Sequence, residues 1–264
     1  MDFLEESSSD IILRTSYPEP TEFPAHRCIL SIASGFWHDM FSLPQSSTEA
    51  NTPRPIIDLS ESTQTVERLL RLIYPVLDPP IDSLDAIVPV LEAAVKYDIP
   101  LVIEKMRKLL VTPAQVESAP LRVFAIAERF GLEEEAKIAS RHTLSVNLLD
   151  SPLSEDLKHV TAYSYHQLLV LHRERAQAAQ LLLDRHVPGG DHCEKCGHEK
   201  RWWVDYKKRA KEELAVRPTG NVVFEIKWTS KSVAACVGCA GNILRAMPWL
   251  DMMKQKVDML RSTI

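Results

Sequence analysis

Residues 23–41 read Phe23-Pro24-Ala25-His26-Arg27-Cys28-Ile29-Leu30-Ser31-Ile32-Ala33-Ser34-Gly35-Phe36-Trp37-His38-Asp39-Met40-Phe41. Within this stretch Ile29, Ile32, Ala33, Phe36, Trp37, Met40 and Phe41 recur at three- and four-residue steps, the spacing of a short buried helix. Upstream, Asp10-Ile11-Ile12-Leu13-Arg14 reads as a strand and Tyr17 to Thr21 as a Pro-rich loop. Downstream, the segment from Pro44 to Pro55 is too polar to pack and is expected as a loop. Ile56-Ile57-Asp58-Leu59-Ser60 reads as a second strand. Thr65 to Tyr74 reads as a helix whose Val66, Leu69, Leu70 and Ile73 face a core. Two more helices follow, Leu84 to Tyr97 and Leu101 to Leu110, parted by Asp98-Ile99-Pro100.

This order of pieces resembles the BTB/POZ domain over roughly residues 8–112. The resemblance rests on Asp10-Ile11-Ile12-Leu13, Phe23-Pro24-Ala25-His26, Leu30 and Phe36 to Phe41. It continues through Ile57-Asp58-Leu59, Leu69 to Tyr74, and Leu91-Glu92-Ala93-Ala94-Val95-Lys96-Tyr97-Asp98-Ile99. It implies an α+β fold, a small sheet flanked by helices, used as a protein-interaction module. Members that form strand-swapped dimers carry an extra helix and strand ahead of the opening strand. Only nine residues precede Asp10 here, so a homo-oligomer would have to form without that exchange. Members that recruit cullin ubiquitin ligases present a hydrophobic-x-Glu element after the Met-Phe matching Met40-Phe41. This chain has Ser47-Thr48-Glu49, so its cullin motif is weak. By similarity His26 and Asp10 form a structural polar pair at the edge of the core. Cys28, in an apolar stretch, reads as a small buried hydrophobe.

After Thr112-Pro113, Leu121 to Phe130 reads as a helix capped by Gly131. Glu133 to Leu148 reads as its partner, acidic in the first turn and basic near the end, which suits the helix dipole. This pair is similar to the helical extension that follows BTB domains in many fungal proteins, and the chain is similar to BTB/POZ proteins of that kind. Thr161 to Val187 is the longest helical run, its stripe made by Leu168, Leu169, Leu171, Ala176, Ala179, Leu182 and Leu183. His172, Arg173, Glu174 and Arg175 are expected on the other side. Val187-Pro188-Gly189-Gly190 stops it.

Four of the five cysteines form two Cys-x-x-Cys knuckles, Cys193/Cys196 and Cys236/Cys239. A two-residue spacer lets both thiolates of a knuckle reach one tetrahedral ion, and two knuckles complete four ligands. One structural zinc ion per chain is therefore expected; a closed four-sulfur site leaves no position for substrate. His192 and His198 are the alternative ligands. The 39 residues between knuckles exceed a compact zinc ribbon, so the ion would staple distant segments. Between them, Trp202 to Val216 reads as a helix, Asn221 to Trp228 as an alternating strand, and the region after Cys239 as a final helix with a kink at Pro248. The organisation expected is a BTB/POZ domain (8–112), a mainly α-helical extension (113–188) and a small zinc-stapled module (189–264).

Two rival readings attach to this module. Cys236-Val237-Gly238-Cys239 ahead of a helix has the look of a redox pair, but no βαβ unit precedes it. The basic face of the 202–216 helix (Lys207, Lys208, Arg209, Lys211) invites nucleic acid, but Glu199, Asp205, Glu212 and Glu213 dilute it, and Trp202 and Trp203 suit a core.

Composition narrows the rest. At 264 residues, 45% hydrophobic and 25% charged, the chain has room for one to three domains. No run of 18 apolar residues exists, and the acidic, Ser-rich start has no apolar h-region, so neither a membrane span nor a secretory signal is expected. Paired thiols without a signal favour a reducing, intracellular location, cytoplasmic or nuclear. Residues 1–110 carry 9 Lys and Arg against 17 Asp and Glu, and residues 111–264 carry 22 against 19, so a nucleic-acid partner is not indicated. No G-x-S-x-G, Walker loop, G-x-G-x-x-G or H-E-x-x-H is present, and no enzyme activity is expected. The reading is a non-enzymatic protein–protein interaction scaffold, with a cullin adaptor or a nucleic-acid-binding regulator as alternatives.

Overall fold

In a computed structural model describing residues 9–44, 54–185, 192, 200–232 and 240–264, alternation decides the sheet. Strand β1 (Ile11–Thr15) buries Ile11, Leu13 and Thr15 and turns Ile12 and Arg14 outward, the period-two pattern of a strand with one core face. It is the middle strand, antiparallel to β2 (Thr21–Ala25) and parallel to β3 (Ile56–Leu59). Pro24 sits opposite Ile12 in β2, tolerated because an edge strand needs fewer ladder donors. The antiparallel strand β2 was not legible beside the Pro-rich loop.

The single helix expected over residues 29–41 is in fact two, α1 (Arg27–Ala33) and α2 (Gly35–Ser42). Ser34 breaks it by adopting an extended backbone. Its Oγ accepts from the Trp37 N–H at 3.0 Å and donates to the Tyr97 carbonyl at 2.5 Å. An N-cap with β-region dihedrals competes with helix continuation. The next residue, glycine, sits against the Asp98 turn. Gly35 N–H donates to the Asp98 carbonyl at 3.0 Å, and a Cβ at Gly35 would lie 2.2 Å from Asp98 Oδ2.

Helix α3 (Thr63–Ile73) is capped by Ser62 and buries Val66, Leu69, Leu70 and Leu72. Helices α4 (Leu84–Lys96) and α5 (Pro100–Leu110) follow, with Asp98 at φ 47° turning the chain between them. Pro100 takes the first helical position, where its missing N–H costs nothing. The described residues divide into two compact units, Met1–Gln115 and Val116–Ile264, and the short helix α6 (Pro113–Ser118) runs across the boundary.

In the second unit α7 (Pro120–Arg129) ends at Gly131, φ 65°, as its composition implied. There Leu132 N–H reaches back to the Ala127 carbonyl at 2.9 Å, a glycine-dependent stop. Helix α8 (Glu133–Thr143) ends five residues earlier than expected. Past Thr143 the chain tightens into three-residue turns, with Leu144, Ser145 and Val146 donating to Arg141, His142 and Thr143.

Helix α9 (Ala162–Arg185) buries Leu168, Leu171, Arg175, Ala176, Ala179 and Leu183. One core joins α9 to α10 (Arg201–Val216), α11 (Gly220–Val223) and α13 (Ala240–Asp258). Its members include Leu183, Trp202, Trp203, Tyr206, Leu214, Phe224, Leu250 and Val257. The strand expected over 221–228 is instead α11 and α12 (Ile226–Ser230). Val223 and Phe224 are buried, Glu225 to Lys227 exposed, and Thr229 buried again, so the real period is helical. Tertiary burial overrode the strand propensity of Val, Phe and Ile. Helix α13 is continuous through Pro248.

Candidate protein-interaction surface

Helices α1 and α2 rest on a ring cluster. Trp37 is buried and stacks against Tyr97 at 5.2 Å and Phe41 at 5.8 Å between ring centres. Phe36 meets Trp37 and Tyr97 edge-on at 5.3 and 5.4 Å while remaining 43% exposed. The Arg27 guanidinium lies over the Phe41 ring at 5.5 Å. The floor is held electrostatically by Glu61, which accepts from Tyr97 Oη and Lys96 Nζ, both at 2.6 Å. Burial pushes the Glu61 carboxyl up, but these two donors outweigh it and leave it below its ordinary value.

Several apolar side chains of this segment are exposed. Cys28 and Ile32, four residues apart on one side of α1, are both exposed, Ile32 by 88%. Leu43, just past α2, is 63% exposed. Val95 and Leu101, on the helices either side of the Asp98 turn, are exposed as well. Leaving such side chains in water forgoes about 1.5–3 kcal/mol each. Cys28 is therefore not the buried hydrophobe expected: the helical stripe at 29–41 contains an outward row, and Leu30 and Trp37 take the inward positions.

His26 and Asp10 meet at the start of α1. Asp10 Oδ1 accepts the Arg27 N–H at 2.9 Å, and the His26 N–H donates to Tyr74 Oη at 2.9 Å, with Nδ1 3.1 Å from the same oxygen. Burial raises the Tyr74 hydroxyl to about 12, against the lowering effect of the His26 N–H. These bonds anchor a helix N-terminus.

Cys193, Cys196, Cys236, Cys239 and His198 lie outside the described residues, as does Ser47-Thr48-Glu49. His192 is exposed. Among the described residues no three His, Cys, Asp or Glu side chains gather as a metal site, and no helix is long and apolar enough to cross a membrane.

The basic face of α10 is largely spent on acids. Lys211 and Lys207 reach Asp184 at 2.6 and 3.8 Å, and Arg209 pairs with Asp205 at 3.0 Å. Trp202 and Trp203 are buried in the core. One charged residue escaped sequence reasoning altogether. Arg175, expected on the outer side of α9, is only 6% exposed. Its Nε donates to the Pro218 carbonyl at 2.7 Å, and its Nη atoms donate to Val257, Leu260 and Arg261 at 2.8, 2.5 and 2.9 Å. The signal was its place in the series 168, 171, 175, 179, 183, which a charge-first reading discards.

The BTB/POZ domain family matches residues 2–114 of the chain. The three-stranded sheet with flanking helices in that segment agrees with the α+β fold expected. No curated protein matches the chain.

Proposed function

We propose that this chain is a non-enzymatic protein-interaction scaffold whose BTB/POZ domain self-associates through α1 and α2. BTB/POZ domains bind protein partners and often form homo-oligomers. The observation that carries the reading is the exposure of Cys28 and Ile32 on α1 and of Phe36 on α2, the last packed edge-on against the buried Trp37 and Tyr97 rings. Rigid apolar anchors above a packed base are the ingredients of an interface hot spot. The Cys193, Cys196, Cys236 and Cys239 knuckles hold one structural zinc ion in this reading, supported by their spacing alone.

The test is sedimentation of the full chain beside Ile32→Glu. Wild type is expected to shift from monomer to dimer with concentration. The variant should stay monomeric and keep its unfolding midpoint, because Ile32 touches little of its own chain. A wild type that is monomeric throughout, or a variant that dimerises equally, would remove α1 as the contact.

A further inference from the structure

The second unit contains a polar cavity of about 480 Å³, within the size range of small-molecule sites. Arg141 and His142 from the end of α8, Arg175 from α9, Asn221, and Asp258 and Ser262 from the end of the chain line it, with Glu117 among the wall residues. Its charges are spent unequally. Asp258 is paired with Lys254 at 2.8 Å. The Arg175 guanidinium is committed to four carbonyls and fixed in place. Arg141 has no ion-pair or hydrogen-bond partner for its guanidinium among the described residues, and the Asn221 amide and the Ser262 hydroxyl are likewise without partners. Burial pushes Arg175 below its ordinary value; Asp258 opposes this, and the positive charge of Arg141 adds to it. The two guanidiniums therefore repel each other across a shared space.

We propose that this cavity binds a phosphorylated small molecule bearing hydroxyl groups, its phosphate taken by Arg141, Asn221 and Ser262. A guanidinium fork matches phosphate oxygens two at a time. A phosphomonoester brings a charge of about −1.5 to −2 to a site lined by two arginines, more than a carboxylate would. The amide and hydroxyl supply further donors for its remaining oxygens. The volume exceeds a bare phosphate, and Asp258 is an acceptor suited to a hydroxyl group on the rest of the ligand. This site is independent of the α1–α2 surface.

Calorimetric titration of the full chain with ribose 5-phosphate, inorganic phosphate and ribose, each alone, tests it. Ribose 5-phosphate is expected to bind saturably, inorganic phosphate more weakly, and ribose not at all. Arg141→Ala should weaken ribose 5-phosphate at least tenfold, and Glu117→Gln should tighten it by removing a like charge. The opposite directions separate binding from a folding defect. Absence of saturable binding by both phosphate probes, equal binding of ribose, or an Arg141→Ala affinity within twofold of wild type would overturn the proposal.

Discussion

Replacing Arg175 by methionine keeps the length of the side chain and removes the guanidinium. The carbonyls of Pro218, Val257, Leu260 and Arg261 then lose that donor, although Val257 keeps the Leu260 N–H at 3.1 Å. Leu260 and Arg261 lie in the turn after α13, where carbonyls are left without a helical partner. A hydrogen bond to a charged group contributes about 1.5–3 kcal/mol, and a buried acceptor left unpaired costs about 1–3 kcal/mol. The four are not additive, since they share one guanidinium and some of the carbonyls will find water. Against this, the variant no longer buries a charge, which recovers part of the loss. The net expectation is roughly 3–5 kcal/mol, a large share of the roughly 5–15 kcal/mol typical of a whole domain. Urea unfolding followed by tryptophan emission reports it directly, because Trp202, Trp203, Trp228 and Trp249 all lie in the second unit. Arg175→Lys keeps the charge but cannot span the four acceptors, and should lose an intermediate amount. A loss below about 1 kcal/mol for Arg175→Met would refute the reasoning, because the guanidinium would then be replaceable by water.

Gly35→Ala is expected to destabilise the BTB/POZ unit by about 1–2 kcal/mol, because its Cβ would fall 2.2 Å from Asp98 Oδ2. With Asp98→Gly also present the clash and the left-handed strain at φ 47° both disappear. Gly35→Ala should then stabilise by up to about 1 kcal/mol, and an unchanged sign in thermal unfolding would show the contact to be unimportant. His172 is pushed down to about 4 by burial, from its ordinary 6.5. The unfolded chain therefore binds the extra proton between those values, and stability of the second unit falls as pH drops from 6.5 towards 4. The full shift corresponds to at most about 3 kcal/mol; His172→Gln should flatten that part of the stability–pH curve, and an equally steep curve would assign the acid loss elsewhere. For the knuckles, elemental analysis should find one zinc per chain, and Ser at any one of Cys193, Cys196, Cys236 or Cys239 should lower the second unit's midpoint while sparing residues 1–110. Midpoints in all four variants equal to that of wild type would dismiss the staple.

The sheet and most helices were legible because their burial follows a local period. Ile11, Leu13 and Thr15 alternate, and α3, α4, α5, α7, α9 and α10 carry apolar residues at helical steps that the structure buries. What failed was decided by partners far along the chain. Ser34 ends α1 because Tyr97, 63 residues away, offers it a carbonyl. Asn221 to Trp228 reads as a strand by composition, yet Tyr206 Oη donates to the Val223 carbonyl at 3.0 Å and Val223 enters a core built by α9, α10 and α13. Periodicity records how often a chain turns toward something; it does not record what is there.

The same limit governs the surface. Ile29, Ile32, Ala33, Phe36, Trp37, Met40 and Phe41 belong to one helical stripe, so sequence alone assigns them one environment. The structure divides that stripe, burying Trp37 and leaving Ile32 and Phe36 exposed. The division follows from the break at Ser34, which changes the phase of the helix halfway through the stripe. A continuous helix would have presented one face to the sheet. Two short ones joined by an extended residue need not share a face: α1 turns Leu30 inward and Ile32 outward, and α2 buries Trp37 and leaves Phe36 partly exposed. Exposed single hydrophobes are common on proteins, but Phe36 is backed by the Trp37 and Tyr97 rings, and both Ile32 and Phe36 lie within the segment that the BTB/POZ domain family matches. That combination, more than hydrophobicity itself, identifies α1 and α2 as the surface to mutate.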